Sequence, residues 1–516
     1  MSFRHFWHRT TCGLRNMFWA PVVFTVLVVA IVPAAVVTSR AHAQSTVGVQ
    51  WNTIATDRGD HLPDFSFCGY HASDDPLPSN SSVSANILLA EGGDQTARIQ
   101  NALNSVASAG GGVVVLGPGE FALSAQGLVV PSGVVLRGSG VGQTLLKCGK
   151  LDKAPLVSLG SNDTSSDGVL PFLVANIVDR YIPIGTAQLT VDNATGFVAG
   201  QNVFVQRTVT DEWVRANGMA DLVLDGKQQT WLKSGLVVKQ PRKIKSVSDS
   251  TISLDVPLTD ALDTTNNLMQ ASIVAYNPPT NASEIGIEDL SITLSPTCSG
   301  AVLGTACDNP AVSFGPWTVD SWARNLEITG FNSFVEVQYN ASRLTVQDVA
   351  MYRDANAKDA GNTDSALSAD VLIQGTQVLV ADCSQRGLAS ARSFSVMTGS
   401  LVPGPNAVLR HSAPSDDQII FPHQRWAHGL LVEDTSSSVR LINRATNGTG
   451  HGWAINAGVG WNLRGTTLIQ SPPLGVNWCI GCSGKIDNRS NGTFLQTGQA
   501  VEPRSLFAAQ LQARRG

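Results

Sequence analysis

Four of the nine histidines in the chain, His411, His423, His428 and His451, fall between Asn406 and Trp453. Arg410, Arg425, Arg444, Trp426, Trp453 and Asn447 stand among them. Imidazole titrates near neutral pH and can take or return a proton there. A guanidinium recognises a carboxylate, bidentately where geometry allows, and an indole offers a flat apolar face beside it. A base, a cation and a stacking surface are what a β-elimination on a uronic-acid sugar needs. The cation neutralises the sugar carboxylate, the base removes the proton next to it, and an acid protonates the leaving oxygen. His428, His451, Arg425, Arg444 and His423 are the catalytic candidates of this reading. Asn406, Arg410, His411, Trp426, Asn447 and Trp453 are its substrate-binding candidates. Calcium could stand in for an arginine on oxygens from Asp416, Asp417, Glu433 or Asp434, but no calcium loop is spelled out and no metal site is assigned. The chain also lacks a Gly-x-Ser-x-Gly nucleophile elbow, a phosphate loop and a dinucleotide fingerprint. For any one of these histidines, a turn or a stacked hydrogen-bond ladder is the competing structural role.

These side chains need a scaffold, and its clearest trace is Asp94 to Cys148. Ile99, Leu103 and Val106 share one face at helical spacing. Short apolar runs follow: Gly112-Val113-Val114-Val115-Leu116, Leu128-Val129-Val130 and Val134-Val135-Leu136. Each is closed by glycine or proline, the pattern of strands buried on both faces and paired in parallel. Similar units recur at Ile285–Leu290, Leu326–Ile328, Leu344–Val346, Val378–Val380, Val408–Arg410, Leu430–Val432 and Trp453–Ile455. Their irregular spacing predicts solenoid coils with loops between them, one of these loops running from Asp354 to Asp364.

The helix Asp-x-Thr-x-x-Ile-Gln-x-Ala at 94–102 is followed by Gly-Gly-Gly-Val-Val, Pro-Gly-x-Phe and Pro-Ser-Gly-Val-x-Leu-x-Gly. This succession resembles the opening coil of the pectate-lyase-like superfamily. The resemblance implies an all-β fold, a single-stranded right-handed parallel β-helix with an N-terminal capping helix, and a chain that handles a polysaccharide. In such coils Asn406, His428 and His451, spaced 22 and 23 apart, are expected to stack in one ladder, with His423 and Arg444, spaced 21, and Arg425 and Asn447, spaced 22, in adjacent ladders. A uronate-polysaccharide lyase is the leading reading, with an anionic glycan as partner. The Arg-x-Pro-x-x-Arg element of pectate lyases is absent, which sets pectate itself aside. The alternative is an inverting hydrolase. Asn362-Thr363-Asp364, Asp416-Asp417 and Gly450-His451-Gly452 are similar in order to polygalacturonase motifs, which makes Asp364, Asp416 and Asp417 its candidate acids. No Arg-Ile-Lys follows the histidine. A non-catalytic carbohydrate-binding solenoid is the third reading, and convergence or scatter of the His/Arg cluster discriminates it.

Residues 1–43 read as a signal peptide, with Arg4, Arg9 and Arg15 before an apolar stretch and Ala41-His42-Ala43 as the cleavage signature. The expected product is secreted (extracellular, or periplasmic in a bacterium), free of the membrane after cleavage, and monomeric. Residues 44–85 form an arm expected to be loosely structured, 86–169 the first coils, 170–277 an inserted β-rich subdomain able to wall a groove, 278–490 the main coils, and 491–516 a tail. The net charge of −5 excludes nucleic acid and requires a local basic patch for any acidic substrate. The cysteines suit an oxidising compartment. Cys298/Cys307 and Cys479/Cys482 are near neighbours, Cys68 is a candidate to reach Cys148, and Cys383 is left as a buried thiol.

Overall fold

The computed structural model describes residues 46–79, 86–152, 154–160, 171–279, 282–298, 306–353, 369–389 and 392–516. The expected signal peptide lies outside them, and so do Asn362, Thr363 and Asp364. Two long parallel sheets, of 15 and nine strands, wind together into a right-handed parallel β-helix. The coils up to Ser384–Gly387 lay a strand on each of three faces, and the later ones on two.

The first face holds Asn86–Leu88, Gly112–Leu116, Val134–Arg137, the leading halves of Gly286–Leu294, Val319–Thr329 and Ser342–Arg353, then Thr376–Ala381, Asn406–Leu409, Leu430–Glu433, Val459–Trp461, Trp478–Ile480 and Thr493–Leu495. The long strands bend, and their second halves join Gly119–Leu123, Thr144–Cys148 and Ser384–Gly387 on the second face. The third face runs from Leu128–Val130 through Val157–Leu159, Pro310–Phe314, Ser333–Val337, Ala369–Ile373, Ser393–Thr398, Gln418–Ile420 and Ser438–Leu441 to Thr467–Ile469.

Parallel pairing puts like residues on top of one another. Leu136, Ile287, Ala323, Val346, Val380, Val408 and Val432 occupy one register column, and every one is fully buried. Ile99, Leu103 and Val106 of the helix Thr96–Ser108 close the N-terminal end of this core.

The bend from the first to the second face requires a left-handed backbone. Asp289, Asn325, Asp348, Asp382, Arg410, Asp434, Asn462 and Gly481 all have φ between +48° and +69° there. Asp, Asn and Gly tolerate that region best, because a short polar side chain can bond locally and glycine has no Cβ. The Asn325 amide donates to the Asp289 carboxylate at 2.7 Å, and Arg410 donates to Asp382 through both Nε and Nη2.

Between the first coils and the rest, Pro171–Tyr276 builds a six-stranded antiparallel sheet. Its core, around Trp213, Trp231, Val203 and Ile273, is continuous with Trp426 and Trp453 of the coils.

The arm and the tail depart from expectation by packing on each other. Val47–Gly48 pairs in parallel with Val501–Glu502, and the helix Leu506–Arg515 follows. Its Gln510 accepts from the Phe65 N–H and donates to the Pro63 carbonyl, both at 2.9 Å. Gly69 and Tyr70 dock by backbone N–H groups on Gln377 and Thr345 of the first face. Hence Cys68 lies against the later coils while Cys148 belongs to the second face near the start. Both are free and buried, which corrects the staple expected between them. Cys298–Cys307 and Cys479–Cys482 are disulfides, and Cys383 is a free, buried thiol that burial pushes up to about 12. Among the described residues, no helix is long and apolar enough to cross a membrane.

Candidate functional site

Four of the predicted residues converge on the turn that leaves the third face and enters the first. The His423 and His451 rings meet edge to face with centroids 4.9 Å apart. Arg444 donates from Nη1 to the His423 carbonyl at 2.6 Å and lays its guanidinium over the Phe421 ring. The Arg425 N–H donates to the His451 carbonyl, and its guanidinium reaches the Trp231 carbonyl and the Thr449 hydroxyl. Asn447 is exposed beside them and accepts from the His451 N–H. Burial, then Arg444 and Arg425, holds His423 down at about 4. Burial, then Arg444, His423 and Arg425, holds His451 at about 3. Burial also lowers Arg444 to about 10.

The other candidates go elsewhere. His428 is sealed in the interior, its Nδ1 2.8 Å from Thr259 Oγ1, and burial depresses it to about 4 against the opposing charge of Asp260. It cannot meet a bound polymer. Trp426 and Trp453 are buried too, donating from Nε1 to Asp260 and to the Asn217 carbonyl. They join the insert to the coils instead of presenting faces for a sugar. His411 is enclosed with Ser437. Asn406 is spent on the Val378 N–H and the carbonyls of Gly375 and Pro403. Arg410 sits on the bend at the far edge of the first face, paired with Asp382. Asp416 and Asp417 are exposed on the turn that enters the third face, and Asp416 accepts from Ser438 and Thr466.

The expected ladder also fails in register. Asn406 pairs with Leu430, and His428 with Asn456. The coil steps here are 24 and 28 residues instead of 22 and 23.

The calcium candidates do not gather. Glu433 is buried and accepts from the Phe507 N–H of the C-terminal helix, while Asp434 pairs with Arg464 and Arg504. Among the described residues, one group brings metal-ligand atoms together: His71, Glu284 and Asp320, within 4.8 Å of one another. All three are already engaged. Asp320 receives Arg343 through two 2.7 Å bonds, and His71 bridges Asp75 and Glu284. The group reads as an ionic clamp on the arm.

A cleft that the histidine pattern did not reveal lies on the same edge of the coils, a few turns earlier. Three adjoining hollows of about 160, 300 and 360 Å³ lie between this edge and the outer face of the inserted sheet. Phe204 and Tyr276 of the insert stack with centroids 4.0 Å apart, and Trp317 stands 6.2 Å from Tyr276. Tyr339, 48% exposed, extends the aromatic lining on the coil side. Lys239 lies over the Phe204 ring at 4.9 Å, and Lys243, Arg242 and Arg343 add cationic groups at one end. Trp317 Nε1 is buried without a protein partner. Beside Tyr339, the Glu336 carboxyl is raised by burial, with Gln374 donating to it at 2.9 Å.

The turns line up coil by coil. Gln338, Gln374, Gly399 and His423 donate their N–H groups to Phe314, Val337, Ile373 and Thr398, and Leu401 donates to Arg425. The aromatic cleft and the His/Arg cluster therefore share one edge. The aromatics escaped the sequence reading because three of the four, Phe204, Tyr276 and Tyr339, carry no polar motif around them. Only the alternation of Phe204 and Gln206 against Val203 and Val205 signals an outward face.

No family model matches the chain, and no curated protein matches it. Among solved structures it resembles the tailspike gp61 of Pseudomonas phage phi297 at 13% identity and TM-score 0.35, over 78% of this chain and 66% of that one. It also resembles a mutant tailspike of E. coli bacteriophage HK620 in complex with a pentasaccharide, at 10% identity and TM-score 0.39, over 85% of this chain and 62% of that one. The A-module of the Azotobacter vinelandii mannuronan C-5 epimerase AlgE4 is similar at 12% identity and TM-score 0.24, over 80% of this chain and 94% of that one. The chain thus spans less than two thirds of the two tailspikes. The fold rests on its own strand pairing.

Proposed function

We propose that this chain is a carbohydrate-active β-helix protein that binds a polysaccharide lengthwise in the cleft between the inserted sheet and the coil edge. The observation that carries this reading is the groove itself: the exposed Tyr339 ring stands on its coil side, the mutually packed and largely buried Phe204, Tyr276 and Trp317 form its floor, and polar and cationic groups line its sides. Sugar rings present C–H faces that stack on aromatic rings and hydroxyls that bond to the rim, and such mixed, concave surfaces are where ligands bind. Lys239 and Lys243 favour an anionic chain. The two disulfides favour an exported protein.

Of the ways to cut such a chain, β-elimination has the better support. Hydrolysis by inversion needs two carboxyls facing each other across the bond. Asp416 and Asp417 stand on the wrong turn for this cleft, whereas the His423/His451 end offers neutral imidazoles beside cations. As they stand, imidazoles held at about 3 and 4 are weak bases.

Size-graded uronate and neutral oligosaccharides, titrated into the full chain by calorimetry, test the reading, with digests of uronate polysaccharides followed at the absorbance of the unsaturated uronyl product. Tyr339→Ala, which alters an exposed ring, is expected to weaken binding about tenfold, as the loss of one stacking contact does in other ligand grooves. Equal affinity in wild type and Tyr339→Ala, or no binding across the panel, overturns the proposal. New reducing ends without the uronyl absorbance overturn elimination alone.

A further inference from the structure

The end of the coil edge at Arg425 and Arg444 is cationic in an unusual way. In a folded protein a half-buried guanidinium normally faces a carboxylate, because removing it from water is costly. Among the described residues, neither Arg425 nor Arg444 forms an ion pair, and both are lowered by burial with no carboxylate acting on them. The elements packed on the cluster supply carbonyls, a hydroxyl, an amide and rings: the Trp231 carbonyl of the insert, Thr449 and Gln424 around Arg425, and Phe421 under Arg444. Two further donor or acceptor atoms, Arg444 Nε and His451 Nδ1, are buried and unpartnered. A charge-balanced scaffold has no reason to collect two guanidiniums, two imidazoles and no acid on one turn.

We propose that Arg425, Arg444, His423 and His451 form a preformed receptor for an oxyanion, a carboxylate or sulfate ester carried by the bound chain. This rests on the glycan reading of the adjoining cleft and names the charged substituent that the cleft admits. Arg444 Nε and the Arg425 guanidinium supply charge-assisted hydrogen bonds to it. Binding has a second effect. The same two arginines depress both imidazoles, so an anion between them offsets that repulsion and strengthens both as proton acceptors. By linkage the coupling is reciprocal: an anion that raises the imidazoles binds more tightly when they are protonated. A substrate lacking the substituent would then leave the bases weak, a built-in selectivity for charged chains.

The test is NMR titration of the histidine side chains of the full chain with sodium sulfate and with sodium acetate, against sodium chloride at equal ionic strength. Signals are assigned with His423→Gln and His451→Gln. The expected result is saturable movement of the His423 and His451 signals, with both pKa values rising by about one unit and His61 and His71 unmoved. Arg444→Gln and Arg425→Gln, folded by circular dichroism, each weaken the response about tenfold or more, the loss of one charge-assisted hydrogen bond. Preference for acetate assigns a uronate, and preference for sulfate a sulfate ester. No movement beyond chloride, or a response in both arginine variants equal to that of the wild type, overturns the proposal; if either variant does not fold, the wild-type histidine shifts decide alone. Neutral oligosaccharides binding the cleft without any anion effect would sink this inference while leaving the glycan reading intact.

Discussion

His411 and His428 are enclosed so completely that neither can become charged without cost, and this makes them acid sensors of the fold. Burial holds both at about 4 against an ordinary value of 6.5. In the unfolded chain they protonate as pH falls through 6.5, while in the folded chain they resist until about 4. Their stabilisation is thus complete above 6.5 and is lost as pH falls toward 4. Each contributes about 3 kcal/mol at most to that loss. A melting series from pH 7.5 to 4 should show a falling Tm, and His411→Gln should flatten part of the slope. An unchanged slope would show that other groups dominate. Near His428, Arg207 and Asp260 form a buried pair at 2.7 Å, with Trp426 and Asn456 also donating to Asp260. Burial pushes the Asp260 carboxyl up, but Arg207, His428 and Asn456 outweigh it and hold it below its usual value. Asp260→Asn leaves Arg207 buried and uncompensated, and should cost about 3–5 kcal/mol in chemical denaturation. A cost below about 1 kcal/mol would mean that water replaces the carboxylate.

Strands and their faces were readable from apolar triplets, whereas register was not, and the difference has a physical cause. Side chains repeat every two residues along a strand, so a hydrophobic run looks alike when slid by two. Leu326 and Leu344 open look-alike triplets, but Leu326 pairs with Val349. The signal that fixes register is the left-handed bend: Asp289, Asn325, Asp348, Asp382, Arg410, Asp434 and Asn462 recur at intervals of 36, 23, 34, 28, 24 and 28, each followed by the next strand segment or turn. Alignment on those residues still does not bury His428, which the insert covers through Thr259 and Asp260. The His/Arg convergence was legible because four polar residues near one turn stay near under small register errors. The aromatic cleft was not, because its second wall comes from an insert whose docking depends on Trp213, Trp231, Trp426 and Trp453 meeting across more than 200 residues. The arm and tail show the same limit, since nothing local announces that Phe65 and Gln510 will pair. Gln510→Ala strands the Phe65 N–H and the Pro63 carbonyl, and should cost about 2–4 kcal/mol and open the arm to limited proteolysis. Unchanged protease sensitivity would show that Val47–Gly48 on Val501–Glu502 suffices to hold it.

At the scale of the molecule, the decisive geometric fact is that the cleft runs along the solenoid axis. Its lining residues Trp317, Asn340, Thr376 and Leu401, and then Arg425 and His451, stand on successive turns of one edge. Neighbouring parallel strands are ~4.8 Å apart, so five steps carry the surface roughly 24 Å. A linear polymer laid on it gains contacts with each coil it crosses, whereas a ligand held in a closed pocket gains none after its first units. The shared core of insert and coils also fixes the width of the cleft: Trp213 and Trp231 stack 5.0 Å apart and Trp426 meets Trp213 edge-on at 4.7 Å. Binding should therefore proceed without opening of the insert. Two results follow for a size-graded oligosaccharide series. Affinity should rise with each added sugar until the span is filled and then level off, and Tyr339→Ala, on the second of these six turns, should weaken long chains that reach it more than short ones bound at the Arg425 end. Small-angle scattering should show the same radius of gyration with and without the longest oligosaccharide. Affinity that saturates at a disaccharide, or a compaction of the particle on binding, would replace the lengthwise groove with a pocket formed by closure of the insert.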